Sequence, residues 1–302
     1  MEHDRPLLPP DLVQVHPGLG ILRLAALLAE GGAADDDTLD LMFEQMEIGA
    51  FDGLAPAEMW PELARGLMAT EPGTMIRALH DCGVLEIILP EVDALFGVPQ
   101  ISDDPGEVDL GELLINALNE AARREAPLAV RVALLTMNVG KSDSPREHLP
   151  AHYRHMERGA PRITAICERF ILPVECRELA LLALHECERV HRTSQVRAGP
   201  VAALLARIGA FEQPARFEAL MCVCTCDYFG HGGRQEAAYP KAALLNRALA
   251  ACAGISPDLG REARQDAQAR AIAEAFHSQR WSSTDDVASD DVASDDTPPG
   301  DA

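Results

Sequence analysis

The stretch that decides the fold of this 302-residue chain is residues 76–100, IRALHDCGVLEIILPEVDALFGVPQ. Four of its apolar residues recur at helical spacing and share one face: Leu79, Cys82, Leu85 and Ile88. Pro90 then interrupts the helix, and the apolar residues 95–99 follow at a reversal of the chain. The stretch therefore predicts short helices that pack around a buried core.

Helical periodicity continues on both sides of this stretch, and several segments open with Pro at or near the first helical position. Aromatic residues make up 4% of the chain, and its apolar content is mainly Ala and Leu, which favour helices over strands. We therefore expect an all-α protein. The expected helices span residues 21–28, 39–46, 56 onward, 74–81, 112–124, 128–137, 162–170, 173–189, 200–208, 214–226, 240–252 and 256–281.

The net charge of −22 disfavours binding to a phosphate backbone, and it is unevenly distributed. Residues 282–302 repeat the sequence DDVAS and contain seven Asp but no Lys or Arg, so we expect a disordered acidic tail there. The rest of the chain carries 15 of the 22 net negative charges. DNA is not an expected partner.

The start of the sequence has no basic segment followed by an apolar one, and no run of about 18 apolar residues occurs. We expect a cytoplasmic protein that does not span a membrane. Its eight cysteines should be reduced and buried rather than paired in disulfides. Cys222, Cys224 and Cys226 alternate near His231, but only Cys222 and Cys226 share a helix face, which favours core packing over a zinc site.

Residues 76–100 resemble the hallmark body segment of the bacterial CCA-adding tRNA nucleotidyltransferases of the multifunctional type. Upstream, Arg23 lies in a segment similar to the helix that follows the family's nucleotide-templating motif, and Trp60 with Glu62 resembles its neck helix. Downstream, residues 130–246 are similar to the family's HD-type domain.

The resemblance implies a helical neck and body followed by a second helical domain. The expected regions are an extended leader (1–20), neck and body helices of the RNA-binding type (21–100), a degenerate HD-type domain (101–255), a C-terminal helix (256–281) and the acidic tail (282–302).

The family's catalytic head carries two metal-binding Asp residues after a Gly-Ser motif, and no such motif stands before Ile21. Because two-metal nucleotidyl transfer requires those carboxylates, we expect this chain alone to be inactive and assign no catalytic residue or cofactor. The templating motif, Glu-Asp-x-x-Arg in the family, reads HPGLG at residues 16–20. Residues 35–37, all Asp, are interpreted as a helix cap.

HD phosphohydrolases bind metal through a first His, an adjacent His-Asp pair and a distant Asp. In this chain the first His position holds Leu113, and the pair reads Met137-Asn138. The vestigial positions that keep a polar residue are Asn138, His152, His155 and Asp227. Because too few ligands remain, we expect no metal.

Residues 141–162 carry a net positive charge within a negatively charged chain, because Lys and Arg outnumber Asp and Glu there. Such an excess can meet phosphates, although a solvated helix face explains it about as well. Together with the resemblance, it gives the RNA-binding candidates Arg23, Trp60, Arg77, Lys141, Arg146, Arg154, Arg158 and Arg162.

Our main hypothesis is a non-catalytic accessory or remnant of the CCA-adding enzyme that contacts tRNA, or another RNA, in 3′-end processing. A separately encoded nucleotidyltransferase head would then be a partner. The second hypothesis is a protein-interaction scaffold without RNA affinity. The third is an HD-type phosphohydrolase with rearranged metal ligands.

Overall fold

A computed structural model of the chain describes residues 16–32, 49–102, 106–234 and 238–278. Its helices are α1 Pro17–Ala29, α2 Pro56–Leu67, α3 Pro72–Asp81, α4 Val84–Ile88, α5 Pro90–Asp93, α6 Leu110–Arg123, α7 Leu128–Thr136, α8 His155–Arg169, α9 Val174–His191, α10 Ala198–Arg207, α11 Pro214–Gly230, α12 Pro240–Ala251 and α13 Arg261–Phe276. The all-α prediction is confirmed. The predicted helix at 39–46, the acidic tail and most of the leader lie outside the described residues.

The first three helices pack against one another. Gly66 of α2 lies against α1 and α3, because a Cβ built on it would come within 3.3 Å of the Ala26 Cα and within 2.1 Å of the Met75 Sδ. Helix α1 begins at Pro17 rather than at the predicted Ile21, so the last residues of the expected extended leader are helical. Proline suits the first helical position, where its missing N–H has no partner to lose.

The structure confirms the helical interpretation of residues 76–100. The four residues on the predicted apolar face are all buried. Gly83 has a φ of +77° between α3 and α4, and Pro90 begins α5. The ring of Phe96 stacks on that of His80 with centroids 3.8 Å apart, which fixes the chain reversal against α3.

A short antiparallel hairpin follows, which the helical prediction does not include. Strand β1 is Pro99–Ile101 and strand β2 is Glu107–Asp109, with Gln100 opposite Val108. Asp109 links the chain just before β1 to the chain just after β2. Its Oδ2 accepts a hydrogen bond from the N–H of Gly97 at 2.6 Å, and its Oδ1 accepts one from the N–H of Glu112 at 3.1 Å. Strands of three residues are too short for a period-2 pattern to show.

Helix α8 begins at His155, and the predicted start at Arg162 is wrong. Proline usually opens or breaks a helix, but Pro161 lies inside α8. Contacts outside the helix hold its first turns. A Cβ on Gly140 would come within 2.0 Å of the His155 carbonyl oxygen, and Arg158 Nε donates to the Gly140 oxygen at 3.0 Å.

Two further helix boundaries differ from the prediction by four residues or more. Helix α11 continues past Cys226 to Gly230. Helix α13 begins at Arg261 rather than at Ser256, whose hydroxyl instead accepts from the N–H of Asp258 at 3.3 Å. A local turn of this kind competes with helix formation.

The chain divides into two compact units, residues 1–185 with 219–236 and residues 186–218 with 237–302. In the first unit, α6 packs against α3 and α7. In the second, α10, α12 and α13 pack on one another. This division differs from the boundaries after residues 100 and 255, which rest on the family resemblance and stay a prediction.

Candidate functional site

Two acidic side chains hold the arginines of the neck region. Glu62, whose side chain is only 4% exposed, accepts from Arg23 Nε at 3.0 Å and from Arg65 Nη1 at 3.3 Å. Glu30 accepts two further hydrogen bonds from Arg65, at 2.7 and 3.0 Å, and the first cause of the raised pKa of Arg65 is this contact. The network joins α1 to α2, so the RNA candidate Arg23 has a structural partner.

The candidates Trp60 and Arg77 lie beside aromatic rings. Trp60 is half-buried and tilted against Phe170, with centroids 6.2 Å apart. It borders an apolar cavity of about 10 Å³, too small and too apolar for a bound ligand. Arg77 pairs with Glu112, and its guanidinium lies 5.4 Å from the centroid of the Phe96 ring.

Three of the basic residues in 141–162 hold the turn formed by residues 138–144. Their donors reach these acceptors: Lys141 Nζ to Gln100 Oε1 (2.9 Å), Arg158 Nε to Gly140 O (3.0 Å), Arg158 Nη2 to Ser144 Oγ (3.2 Å), Arg162 Nη1 to Val139 O (2.9 Å) and Arg162 Nη1 to Ser142 Oγ (3.1 Å). Arg162 also pairs with Asp143. Lys141 is buried. These three cations are therefore engaged by the protein itself.

Arg146 and Arg154 differ from those three because both are exposed. Arg146 begins a short 3₁₀ turn, Arg146–His148. Arg154 precedes α8 in the left-handed conformation, with a φ of +56°. Its side chain is 76% exposed and pairs with exposed Glu157 at 2.8 Å. These are the most exposed members of the basic stretch, and a phosphate group can reach them.

Of the vestigial HD positions, Asn138 and His152 lie at the same turn. Leu113 and Met137 are buried, and Asn138 is half-buried. His152 uses both ring nitrogens, since Nδ1 lies 2.9 Å from Ser144 Oγ and Nε2 lies 3.1 Å from the Pro99 carbonyl oxygen.

The other two vestigial positions are also engaged. Nδ1 of His155 lies 2.8 Å from the carbonyl oxygen of His152. Asp227 is buried, with its Oδ2 4.0 Å from Nε2 of His231. The Nδ1 of His231 lies 3.2 Å from Ser102 Oγ. His152 thus contacts Pro99, the first residue of β1, and His231 contacts Ser102, which directly follows β1, so the two histidines anchor the hairpin.

Within the described ranges, no three carboxylates come close enough together to share a metal ion. The predicted cap at residues 35–37 lies outside those ranges.

Arg131 is a site residue that sequence reasoning did not single out. It is 3% exposed, and its guanidinium donates to three backbone carbonyls: Leu67 (2.7 Å), Ala69 (2.9 Å) and Ala126 (2.9 Å). Burial lowers the pKa of Arg131. A single cation inside the apolar run of α7 was the available signal, because a buried charge requires dedicated partners.

Curated relatives match most of the chain. A multifunctional CCA protein of Acidovorax sp. (strain JS42) is 41% identical over 238 residues, which is 79% of this chain and 56% of that relative. The corresponding protein of Laribacter hongkongensis is 41% identical over 244 residues, 80% of this chain and 60% of its own length. The chain is thus similar to multifunctional CCA proteins over most of its own length. The multifunctional CCA protein of Burkholderia cenocepacia is 41% identical over 263 residues, which is 87% of this chain and 63% of that relative.

This similarity confirms the predicted resemblance to the CCA-adding family. The chain spans about three fifths of the length of the curated relatives it matches, 56% to 63%. No protein-family model matches the chain. Among the described helices, none has both the length and the apolar character needed to cross a membrane.

Proposed function

We propose that this chain binds tRNA through its helical region and serves tRNA 3′-end processing in the cytoplasm as a non-catalytic accessory or remnant of the CCA-adding enzyme. The observation that carries the proposal is the 41% identity to multifunctional CCA proteins across 79% or more of the chain. The segment at residues 76–100 supports it, because this segment carries the resemblance to the family and its predicted apolar face is buried.

Arg146 and Arg154 are the proposed phosphate contacts. The ion pair between Arg154 and Glu157 is exposed on both sides, and such a pair contributes little to stability. Arg154 can therefore exchange this partner for a phosphate at small cost. Lys141, Arg158 and Arg162 hold the turn that precedes Arg146, and their role in RNA binding would be to position it.

The proposed role is binding rather than transfer. Two-metal nucleotidyl transfer needs a pair of metal-binding carboxylates, and none of the residues that support the proposal is assigned to that role. Carboxylates from another segment or from a separately encoded head would supply that chemistry. The phosphohydrolase alternative has less support, since both ring nitrogens of His152 already have protein partners.

Salt-dependent tRNA binding tests the proposal. Fluorescence anisotropy with labelled tRNA is measured for the wild type and for Arg146→Gln/Arg154→Gln between 50 and 200 mM salt, which are about the concentrations over which phosphate contacts weaken. Loss of two contacts should reduce the slope of log K against log salt by roughly 1.4 to 1.8.

The matched control is Arg261→Gln/Arg270→Gln, which removes two exposed arginines from α13. It should leave the slope unchanged. Equal losses in both variants would indicate only a general charge effect. No detectable tRNA binding at the lowest salt concentration would reject the proposal and favour the scaffold hypothesis.

A further inference from the structure

A groove between α10 and α13, in the second unit, is a feature that the proposed function leaves unused. Its volume is about 630 Å³, which lies in the usual range of small-molecule sites. The side chains that line it include three arginines, a glutamate, a glutamine and a phenylalanine: Arg207, Arg261, Arg264, Glu212, Gln268 and Phe211. The proposed tRNA contacts belong to the other unit, so RNA binding there does not explain this groove.

Two of these arginines keep guanidinium nitrogens available to a ligand. Arg207 uses its Nε for both hydrogen bonds to Glu186, at 2.9 and 3.0 Å, and neither of its Nη nitrogens has a hydrogen-bond partner among the described residues. Arg261 is exposed and forms no ion pair with any residue that the structure describes. Both side chains therefore present N–H donors that an anion in the groove would accept.

The third arginine, Arg264, has weak contacts with the protein. Its Nη2 donates to the Leu259 carbonyl oxygen at 3.5 Å, and its Nη1 lies 3.6 Å from Glu212 Oε1, both longer than an ordinary hydrogen bond. Its Nε is buried, with no hydrogen-bond partner in the described part of the chain. A buried N–H that the protein leaves unsatisfied requires an acceptor from a ligand or an ordered water.

Gln268 is a second buried polar group at the groove. The residue is only 5% exposed, and none of the described residues forms a hydrogen bond with its side-chain amide. An amide that is withdrawn from bulk water without a partner is unfavourable. Because it offers both a donor and an acceptor, the amide is suited to a polar ligand in the groove.

The charge of the groove indicates which ligand it takes. Its three arginines outnumber its one acidic residue, Glu212, so the groove is positive although the net charge of the chain is −22. Guanidinium groups bind phosphate through paired N–H donors, and a phosphate monoester offers two negative charges to several of them. The half-buried ring of Phe211 adds an apolar wall against which a flat ring packs.

We propose that this groove binds a small phosphate monoester that carries a flat ring. The arginines of α10 and α13 bind the phosphate oxygens, the ring of the ligand packs against Phe211, and the amide of Gln268 bonds to a polar atom of the ligand. The site binds without making or breaking a bond, and it does not depend on RNA binding.

The first test compares three probes by isothermal titration calorimetry on the full chain. Phenyl phosphate has both the ring and the phosphate, methyl phosphate lacks the ring, and benzoate has the ring but a single negative charge. Phenyl phosphate should bind at least about 5-fold more tightly than either of the others. Equal affinity for benzoate, or no binding of phenyl phosphate at millimolar concentration, would overturn the proposal.

The second test replaces the arginine whose Nε lacks a partner. Arg264→Gln should weaken phenyl phosphate binding about 10-fold, because a charge-assisted hydrogen bond is lost. Arg270→Gln is the matched control: this exposed arginine of α13 pairs with Asp266 and does not line the groove, so the affinity should not change. An unchanged affinity in folded Arg264→Gln would refute the site.

Two further variants give results that a loss of folding does not produce. Glu212→Gln removes the opposing charge and releases Arg264, so it should tighten phenyl phosphate binding about 3-fold. Phe211→Leu should weaken phenyl phosphate binding about 5-fold and leave methyl phosphate binding unchanged. Weaker binding in Glu212→Gln would refute the electrostatic argument, and equal loss of both probes in Phe211→Leu would refute the ring contact.

Discussion

Arg23 Nε donates a hydrogen bond to Glu62 Oε1 at 3.0 Å, and this contact joins α1 to α2. Both residues lie in segments that resemble the neck region of the CCA-adding family. Glu62 also accepts a hydrogen bond from Arg65, so one nearly buried carboxylate pairs with two arginines. Its position in the network makes Glu62 the residue on which the pairing of these helices depends.

Replacing Glu62 should therefore destabilise the chain more than replacing an exposed acid. We expect Glu62→Gln to lower the free energy of unfolding by about 2 kcal/mol, because two charge-assisted hydrogen bonds are weakened in a poorly solvated position. Urea unfolding measures the change. Glu86→Gln, on the exposed side of α4, is the control and should change it by less than about 0.5 kcal/mol. Similar values for both variants would contradict a structural role for the network.

Gly140 should tolerate no side chain. A Cβ there would lie 2.0 Å from the carbonyl oxygen of His155 and 2.6 Å from the nitrogen of Gly159, and backbone atoms cannot move aside as a flexible side chain can. We expect Gly140→Ala to cost about 3 kcal/mol or more in thermal or urea unfolding.

Gly254→Ala is the matched control for that substitution, since nothing lies within 4 Å of a Cβ built at Gly254 and its φ is not positive. It should be neutral or stabilising by about 0.5 kcal/mol. If Gly140→Ala behaved in the same way, the close packing of α8 on the turn at 138–144 would be wrong.

The features that the sequence predicted well are those set by neighbouring residues. Pro90 interrupts the helical run of residues 76–88 and starts a new helix, because proline restricts its own backbone. The buried face of residues 76–100 follows from helical spacing alone.

The features that could not be predicted depend on contacts between distant residues. Arg131 bonds to the carbonyl of Leu67, 64 positions away, and nothing in either local segment indicates this pairing. Of the basic residues in 141–162, charge counting could not tell buried Lys141 from exposed Arg146. The early start of α8 likewise depends on Gly140, fifteen positions before its first residue.

His152 should contribute to stability through hydrogen bonds and not through a metal. His152→Ala removes the partners of Ser144 Oγ and the Pro99 carbonyl oxygen, and we expect a loss of about 2 kcal/mol in urea unfolding. A chelator should not change the stability of the wild type. His148→Ala, an exposed histidine near the same turn, should have little effect. A chelator that destabilised the wild type but not His152→Ala would instead indicate metal ligation.

Cys252 should make the chain less stable at alkaline pH. Its thiol is buried and donates to the carbonyl oxygen of Gln268 at 3.8 Å, and burial raises its pKa to about 11. An unfolded thiol loses its proton near pH 8.5, whereas the folded one keeps it until about pH 11, so the unfolded state gains stability across this interval.

Cys252→Ala should flatten the fall in Tm between pH 9 and 11, with a difference of about 2 kcal/mol from the wild type at the upper end. Calorimetry at several pH values measures both curves, and parallel curves for wild type and Cys252→Ala would show that the thiol is not buried as described.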